Sequence, residues 1–546
     1  QDYWAAKQIY KLVEMNIIKG FPDGKFKPEV SVTREQFCVM IALAKKLDII
    51  KPAKPTFNDV PSTRWSFGYI ETVFKQGYIK GYGGGKFGPS DKIKRCDLAV
   101  LVINVLGKAN ESAMIKEPWL LSNDEYRIEN DKAIINIPSY AIGAMTLAYK
   151  PECQILTYRP GRMAEPLSPG TRAECAYAVY MILYPPVKGG TIVVAVSQEP
   201  DSLNPITTNM LASTFVFNFL SDGMIGTDEK TTIFPSFCKV VPTFENGDYK
   251  LLKEDGKEKL WIKYRLRENL KWADGYPVTT KDCLFSKKVM MHPDVQVTSR
   301  YFYTDVLEKL EAPDSHTLIV KLNQIWPLAN LGFGWLPEHF LGPDFEKDPK
   351  SFNTRRDYAL NPLMEGPYKV KTWIQGSHIE LETNPYYFHQ PLIPKIVIRF
   401  IPDSNTLKMN LMNEEVEISS NAFTPLEAQG LEKKLPKTRF VYTESTSWEH
   451  LDLDKFDDED GEGFFFGDKR VRQALLYGLD REQMAKQVSA GKFSVSHFWV
   501  TPKSWFYDDS LMKKYNYNPQ MANKLLDEAG WKIGDDGIRV KDGKRF

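Results

Sequence analysis

Internal repetition is the feature that most restricts how this chain can fold. Trp4 and Trp65, Gly20 and Gly81, and Arg34 and Arg95 are all separated by one step, 65 − 4 = 61 residues. Within that register Phe21-Pro22-Asp23-Gly24-Lys25-Phe26-Lys27-Pro28 aligns without a gap on Tyr82-Gly83-Gly84-Gly85-Lys86-Phe87-Gly88-Pro89. A constant step through so many special residues marks a duplicated structural unit. A third copy is looser. Thr171-Arg172-Ala173-Glu174 follows Thr33-Arg34-Glu35-Gln36 by 171 − 33 = 138 residues, and Pro166 keeps that step from Pro28. Tyr140 takes the place of Trp in this copy, and the Asp-Gly turn is missing.

Each repeat reads as helix, turn, helix. Ile9, Leu12, Val13 and Ile17 recur at helical spacing, Gly20 is expected to end that helix, and Pro22-Asp23-Gly24 makes a tight turn. Thr33 is expected to cap a second helix through Phe37, Val39, Met40, Ile41 and Leu43. One such hairpin cannot bury its own apolar face, whereas three can close on one another. Gly83-Gly84-Gly85-Lys86-Phe87-Gly88 matches the dinucleotide-binding pattern. It follows a helix instead of a strand and aligns with the turn of repeat one, so it is read as a turn.

These repeats resemble the S-layer homology (SLH) module. Its hallmarks are Trp-Ala near the start, a Gly-aromatic-x-Asp-Gly-x-Phe-x-Pro turn and a Thr-Arg-Ala-Glu box. Here they stand as Trp4-Ala5, Gly20 to Pro28 and Thr33-Arg34-Glu35, followed by divergent copies. The resemblance spans about 1–185, with repeats expected at 1–50, 55–110 and 120–185. It implies an all-α pseudo-threefold trimer of repeats on the bacterial cell surface. Its grooves would bind a secondary cell-wall polysaccharide or another peptidoglycan-linked polymer, often with acidic pyruvyl-sugar ends. The residues so implicated are Trp4, Gly20, Arg34, Trp65, Gly81, Arg95 and Arg172. An arginine fork grips a carboxylate, and a tryptophan face stacks on a sugar ring. The alternative for each arginine is a brace to its neighbour.

A short linker, expected at 186–190, separates this region from a different composition. Thr191 to Val196 reads as a β-branched strand followed by a loop, Ser197 to Pro205. Trp261 to Leu266, His316 to Leu322 and Ile396 to Ile401 read as further strands, while Leu307 to Leu310 and Ala474 to Val488 read as helical. This is α/β order.

Several blocks here resemble the extracellular solute-binding proteins of peptide and nickel ABC importers, family 5. They are Lys188-Gly189-Gly190-Thr191 with Glu199 to Pro205, the long block Tyr264 to Asp282, Glu365-Gly366-Pro367-Tyr368, Asn384-Pro385-Tyr386-Tyr387, and Asp468 to Ala474 with Asp480-Arg481. The resemblance implies a two-lobed α/β periplasmic-binding-protein-like domain over 191–546 that closes on a ligand without covalent chemistry. Lobe one is expected at about 191–425, with a subdomain near 235–345, and an incomplete lobe two from about 426. The implied partners are a peptide or oligosaccharide solute and an ABC permease. Glu199, Asp201, Asn204 and Trp448 are the solute-binding candidates. Trp272, Asp274 and Gly275 are read as structural. A structural surface-layer protein, self-assembling and reusing the binding fold, is the alternative.

Other classes find little support. Lys+Arg is 71 and Asp+Glu is 70, so bulk charge suggests no nucleic-acid partner. No apolar run reaches membrane-spanning length. Neither HExxH nor GxSxG occurs, so no enzyme and no cofactor are expected. The acidic run Asp452, Asp454, Asp457, Asp458, Glu459, Asp460 and Glu462 lacks EF-hand spacing and is read as a solvated loop. Six cysteines form no CxxC, and Cys38, Cys96 and Cys175 are expected to be buried thiols. The repeat register puts the equivalent of Phe57 at 57 − 61 = −4, and family members continue beyond the Ala529-Gly530-Trp531 turn. The natural chain is therefore expected to extend past both ends, and the given chain to bind solute poorly alone.

Overall fold

The computed structural model describes residues 3–228, 232–326, 334–420, 423–442, 450–455, 463–502 and 507–546. Two compact units emerge. The first comprises Gln1–Ile401 with Val416–Ile418, the second Pro402–Glu415 with Ser419–Phe546.

The first unit begins with the three repeats. Their helix pairs are Ala6–Glu14 with Arg34–Ala44, Phe67–Lys75 with Arg95–Val105, and Ile142–Tyr149 with Arg172–Leu183. Thr33 and Thr171 each cap the second helix of a pair through a reciprocal box with Gln36 and Glu174. At the centre three backbone bonds form a closed ring. Val32 donates to the Gly170 carbonyl at 3.1 Å, Gly170 to Ile93 at 2.8 Å, and Ile93 to Val32 at 2.9 Å. These three positions keep the sequence offsets, 93 − 32 = 61 and 170 − 32 = 138. The helices pack one shared core around this ring, including Phe37, Ile41, Ile70, Phe87, Leu101, Leu147 and Val179. All six cysteines are buried and unpaired.

Several details depart from the sequence reading. The first helix stops at Glu14, and Asn16 takes a left-handed φ of 57°, so Gly20 lies beyond its end. The repeats are not purely helical, because repeat three carries a β-hairpin, Tyr126–Glu129 with Lys132–Ile135. Leu307 to Leu310 is not helical but opens the strand Leu307–Asp314, paired with Thr317–Leu322. A register shift between Leu307 and Lys309 explains the misreading. An extra residue in a bulged strand puts leucines three apart on one face, which mimics helical spacing. Ala474 to Val488 divides into Lys469–Gly478 and Arg481–Val488, because Asp480 caps the second helix through the Gln483 N–H.

The α/β part of the first unit holds two larger sheets beside the short pair Ile225–Thr227 and Ile233–Pro235. In one, the parallel pair Thr191–Val196 and Lys395–Phe400 is extended by His378–Thr383 and Tyr368–Ile374. The other is antiparallel, in the order Tyr249–Glu254, Lys257–Arg265, Thr317–Leu322, Leu307–Asp314. Trp272 and Tyr264 are fully buried in its core.

The hairpin of repeat three docks on this antiparallel sheet. Glu125 and Arg267, both buried, form a two-pronged ion pair at 3.0 Å per bond. Trp119 stacks on Phe388 with ring centroids 3.6 Å apart, and the Arg162 guanidinium lies 3.6 Å from the Phe234 ring. Asp131 at the hairpin turn reaches Lys263 at 2.8 Å and Arg265 at 2.6 Å. The segment expected as a linker at 186–190 is therefore not the sole connection between repeats and α/β part.

The second unit contains the helices Ser404–Met412, Pro425–Glu432, Lys469–Gly478, Arg481–Val488 and Pro519–Glu528. A small sheet, Lys532–Ile533, Arg539–Lys541 and Lys544–Arg545, follows them. Its core is Trp531, fully buried with Val471 and stacked on Phe465. This unit begins at Pro402, earlier than the boundary near 426 read from sequence.

Candidate functional site

Each repeat sends one arginine into the next repeat. Arg34 donates from Nε to the Phe87 carbonyl at 3.1 Å and from Nη2 to the Lys80 carbonyl at 2.8 Å. Arg95 makes the same two bonds to Ala164 and Thr157, both at 2.7 Å. Arg172 closes the circle on repeat one, through Phe26 at 3.0 Å and Lys19 at 2.6 Å. The acceptors keep the register, since 87 − 26 = 61 and 164 − 26 = 138. A guanidinium that satisfies turn carbonyls across a repeat boundary locks the two repeats together.

That geometry sorts the seven residues expected to bind polymer. Arg34 and Arg95 are only 3% and 0% exposed. Arg95 also bonds the Tyr149 hydroxyl and Glu174, so its fork is filled by the protein itself. Arg172 is half-buried, over the rings of Phe21 and Phe26. Desolvation holds its pKa below the ordinary guanidinium value. Trp65 and Trp4 are exposed, although Trp4 leans on Tyr177. Gly20 and Gly81 serve the turns. A Cβ on Gly81 would sit 2.5 Å from the Lys86 carbonyl oxygen and 2.6 Å from the Phe57 ring. The structure brings Trp65 and Arg172 together in one groove of about 290 Å³, whose walls include Ile17, Lys19, Phe26 and Gln36.

The solute-binding candidates lie in the loop that leaves the C-terminal end of Thr191–Val196. Glu199 accepts from Trp373 Nε1 at 2.8 Å and the Gly376 N–H at 2.9 Å. Asp201 accepts from Thr208 and Ser213 at 2.6 and 3.0 Å. Asn204 is buried and takes the Ile206 N–H at 3.3 Å. All three brace the loop. Trp448 lies outside the described residues, as do Asp457, Asp458, Glu459, Asp460 and Glu462. Among the described residues no group of three or more His, Cys, Asp or Glu is placed to hold a metal ion.

Sequence reading missed a pair of acids, the buried Glu365 and the half-buried Asp222. Glu365 accepts from the Ser221 hydroxyl at 2.7 Å, and the Tyr387 hydroxyl donates to Asp222 at 2.7 Å. Burial pushes Glu365 up to about 8 and raises Asp222 as well. Two of the quoted blocks thus meet at the end of the helix Leu211–Leu220. Their fixed internal spacing was visible in sequence, but their convergence was not.

The helical repeats and the α/β fold each match a known family model, and those two families together indicate the cell surface or extracellular space. The chain belongs to the bacterial extracellular solute-binding proteins, family 5, whose middle-region model matches 252–546. The S-layer homology domain matches 1–38 and 56–99. The chain is 28% identical over 370 residues to the oligopeptide-binding protein AppA of Bacillus subtilis, covering 66% of this chain and 63% of AppA. The structure of that AppA in complex with a nonapeptide aligns with a TM-score of 0.52, at 28% identity over 66% of this chain and 68% of the other. The oligopeptide-binding protein of Thermus thermophilus, complexed with a pentapeptide, aligns with a TM-score of 0.53, at 26% identity over 65% and 66%. The family is one of substrate-binding components of transport, not of enzymes.

Proposed function

We propose that this chain is a cell-surface solute-binding protein, held to a wall polymer by its repeats, that captures an oligopeptide or similar solute for an ABC permease. One observation carries the reading. The repeats and the first part of the α/β fold form one compact unit, joined by the buried Glu125–Arg267 pair. An anchor packed in this way holds the binding fold in a set orientation to the wall, which a flexible tether would not do. The peptides bound by the two structural relatives support an oligopeptide as the solute class. Trp65 and Arg172 are the polymer contacts in this reading, while Arg34 and Arg95 lock the repeats. Glu199, Asp201 and Asn204 shape the loop beside the solute.

The test has two parts. The chain is mixed with purified bacterial sacculi and sedimented, and native mass spectrometry is used to find a co-purifying ligand of short-peptide mass. Sedimentation with sacculi and a peptide-sized ligand are the expected results. A chain that stays in the supernatant and carries no ligand sinks the proposal.

A further inference from the structure

A cavity lies where the repeats seat on the α/β fold. Its volume is about 10 Å³, room for about one water molecule. Trp119 brings a wall from the repeat region, and Glu365, Lys271, Tyr386, Tyr387 and Phe388 are among the residues that face it from the α/β fold. Trp119 is held there by its stack on Phe388 and by the Arg267 guanidinium, 5.0 Å from its ring. Its indole Nε1 is buried and has no hydrogen-bond partner among the described residues.

Glu365 is the buried acid of this cavity. Its Oε1 takes the Ser221 hydroxyl at 2.7 Å and the Asp222 N–H at 3.3 Å, and no cation pairs with it among the described residues. Asp222 faces it from the end of Leu211–Leu220, and Tyr358 from the helix Arg356–Leu360, with Arg355 acting on Tyr358 in turn. Tyr387 donates to Asp222 and rests on Phe388, ring centroids 4.4 Å apart, and Phe388 carries Trp119. Lys271 Nζ lies 5.7 Å from the Tyr386 ring. On the far side of Trp119 stand Arg267 with its partner Glu125, Lys150, and His389, which burial pushes down to about 3 and so keeps neutral.

A protonated Glu365 suits this site. An ionised one adds charge beside Asp222 in a space too small to solvate a carboxylate. The α/β walls are tied by backbone bonds, such as Gly366 N–H to the Leu220 carbonyl at 2.8 Å and Asn384 N–H to Pro367 at 2.9 Å. The Trp119 ring is held by ring contacts without a hydrogen bond, so it is the wall that can yield. We propose that Glu365 makes the seating of the repeats depend on pH: its protonated carboxyl keeps Trp119 stacked on Phe388, and its ionisation opens the cavity to water on the Trp119 side. Burial sets the window, since Glu365 is pushed up to about 8 and the contact is lost as pH rises through that value. The inference is independent of what the repeats bind. It concerns how firmly they hold the α/β fold.

The experiment labels the full chain with fluorotryptophan and identifies the Trp119 resonance by its loss in Trp119→Phe. Fluorine NMR spectra are then recorded from about pH 6 to about pH 9. In wild type the Trp119 resonance is expected to move toward the position of a solvent-exposed ring, with its midpoint at about pH 8. In Glu365→Gln it is expected to keep its low-pH position throughout. Lys271→Met, at an exposed residue, is expected to leave the movement in place. A Trp119 resonance that stays fixed in wild type would overturn the proposal, whether or not Glu365→Gln folds. So would the same movement in folded Glu365→Gln, or its disappearance in Lys271→Met, which would assign the change to the lysine.

Discussion

Arg95 inside the ring of repeats and Arg267 at the junction with the α/β sheet are both buried, and both hold a carboxylate. They differ in what else holds them. Arg95 keeps two carbonyls and a tyrosine hydroxyl besides Glu174, and its counterpart Arg172 performs the same lock with no acid partner among the described residues. Arg267 has the Ser236 carbonyl at 2.8 Å, but among the described residues its one ion-pair partner is Glu125, which also takes the Leu120 N–H. A contact made three times shows by its own copies which part is dispensable. A contact made once carries no such spare.

The largest expected effect therefore falls at the junction. Glu125→Ala strands a buried guanidinium and should cost about 3–5 kcal/mol in denaturant unfolding. In the ring, Glu174→Gln should cost about 1.5–3 kcal/mol, because Arg95 retains its neutral acceptors and Gln36 shows that glutamine serves as the cap. Equal losses from these two variants would break the distinction.

The third effect concerns pH and separates the two regions by sign. Glu365 is raised above its unfolded value by burial, so its protonated form belongs to the folded state. Its contribution is complete below about pH 4 and is lost as pH rises through about 8. Glu174 is lowered by Arg159 and Arg95 against the opposing pull of burial, so its contribution is present at neutral pH and lost in acid. Glu365→Gln, which cannot ionise, should remove the decline between about pH 4 and 8 and gain on wild type as pH rises through that window, read from unfolding midpoints across pH. A decline unchanged in the variant would exclude Glu365 as its source.

The smallest effect is at the rim of the junction. Asp131 is 73% exposed, and its ion pairs with Lys263 and Arg265 are open to solvent. Solvent screening limits Asp131→Asn to about 0–1 kcal/mol, and that difference should fade as salt is added. A larger, salt-resistant loss would mean that the rim shares the work of Glu125 and Arg267.

The repeat architecture was legible because it is written three times. Trp4 and Trp65, Thr33 and Thr171, and the three arginines recur at fixed offsets, and local rules of capping and turn chemistry then suffice to draw each hairpin. The strand Thr191–Val196 and the loop behind it were legible for a similar reason, since β-branched runs and turn residues act over a few positions. Residues separated by long stretches of chain were not. Glu125 and Arg267 are 142 positions apart, and neither has a pattern around it that names the other. Ser221 and Glu365 meet across 144 positions, and the raised pKa of Glu365 exists only once burial removes water from its carboxyl. Arginine function divided in the same way. Three equivalent arginines were plain in the sequence, but which of them is neutralised depends on the residue that rotation about the ring sets opposite each one. Charge pairing is a matter of distance in space, and only the closed ring of repeats makes Gln36, Asp97 and Glu174 the neighbours of Arg172, Arg34 and Arg95.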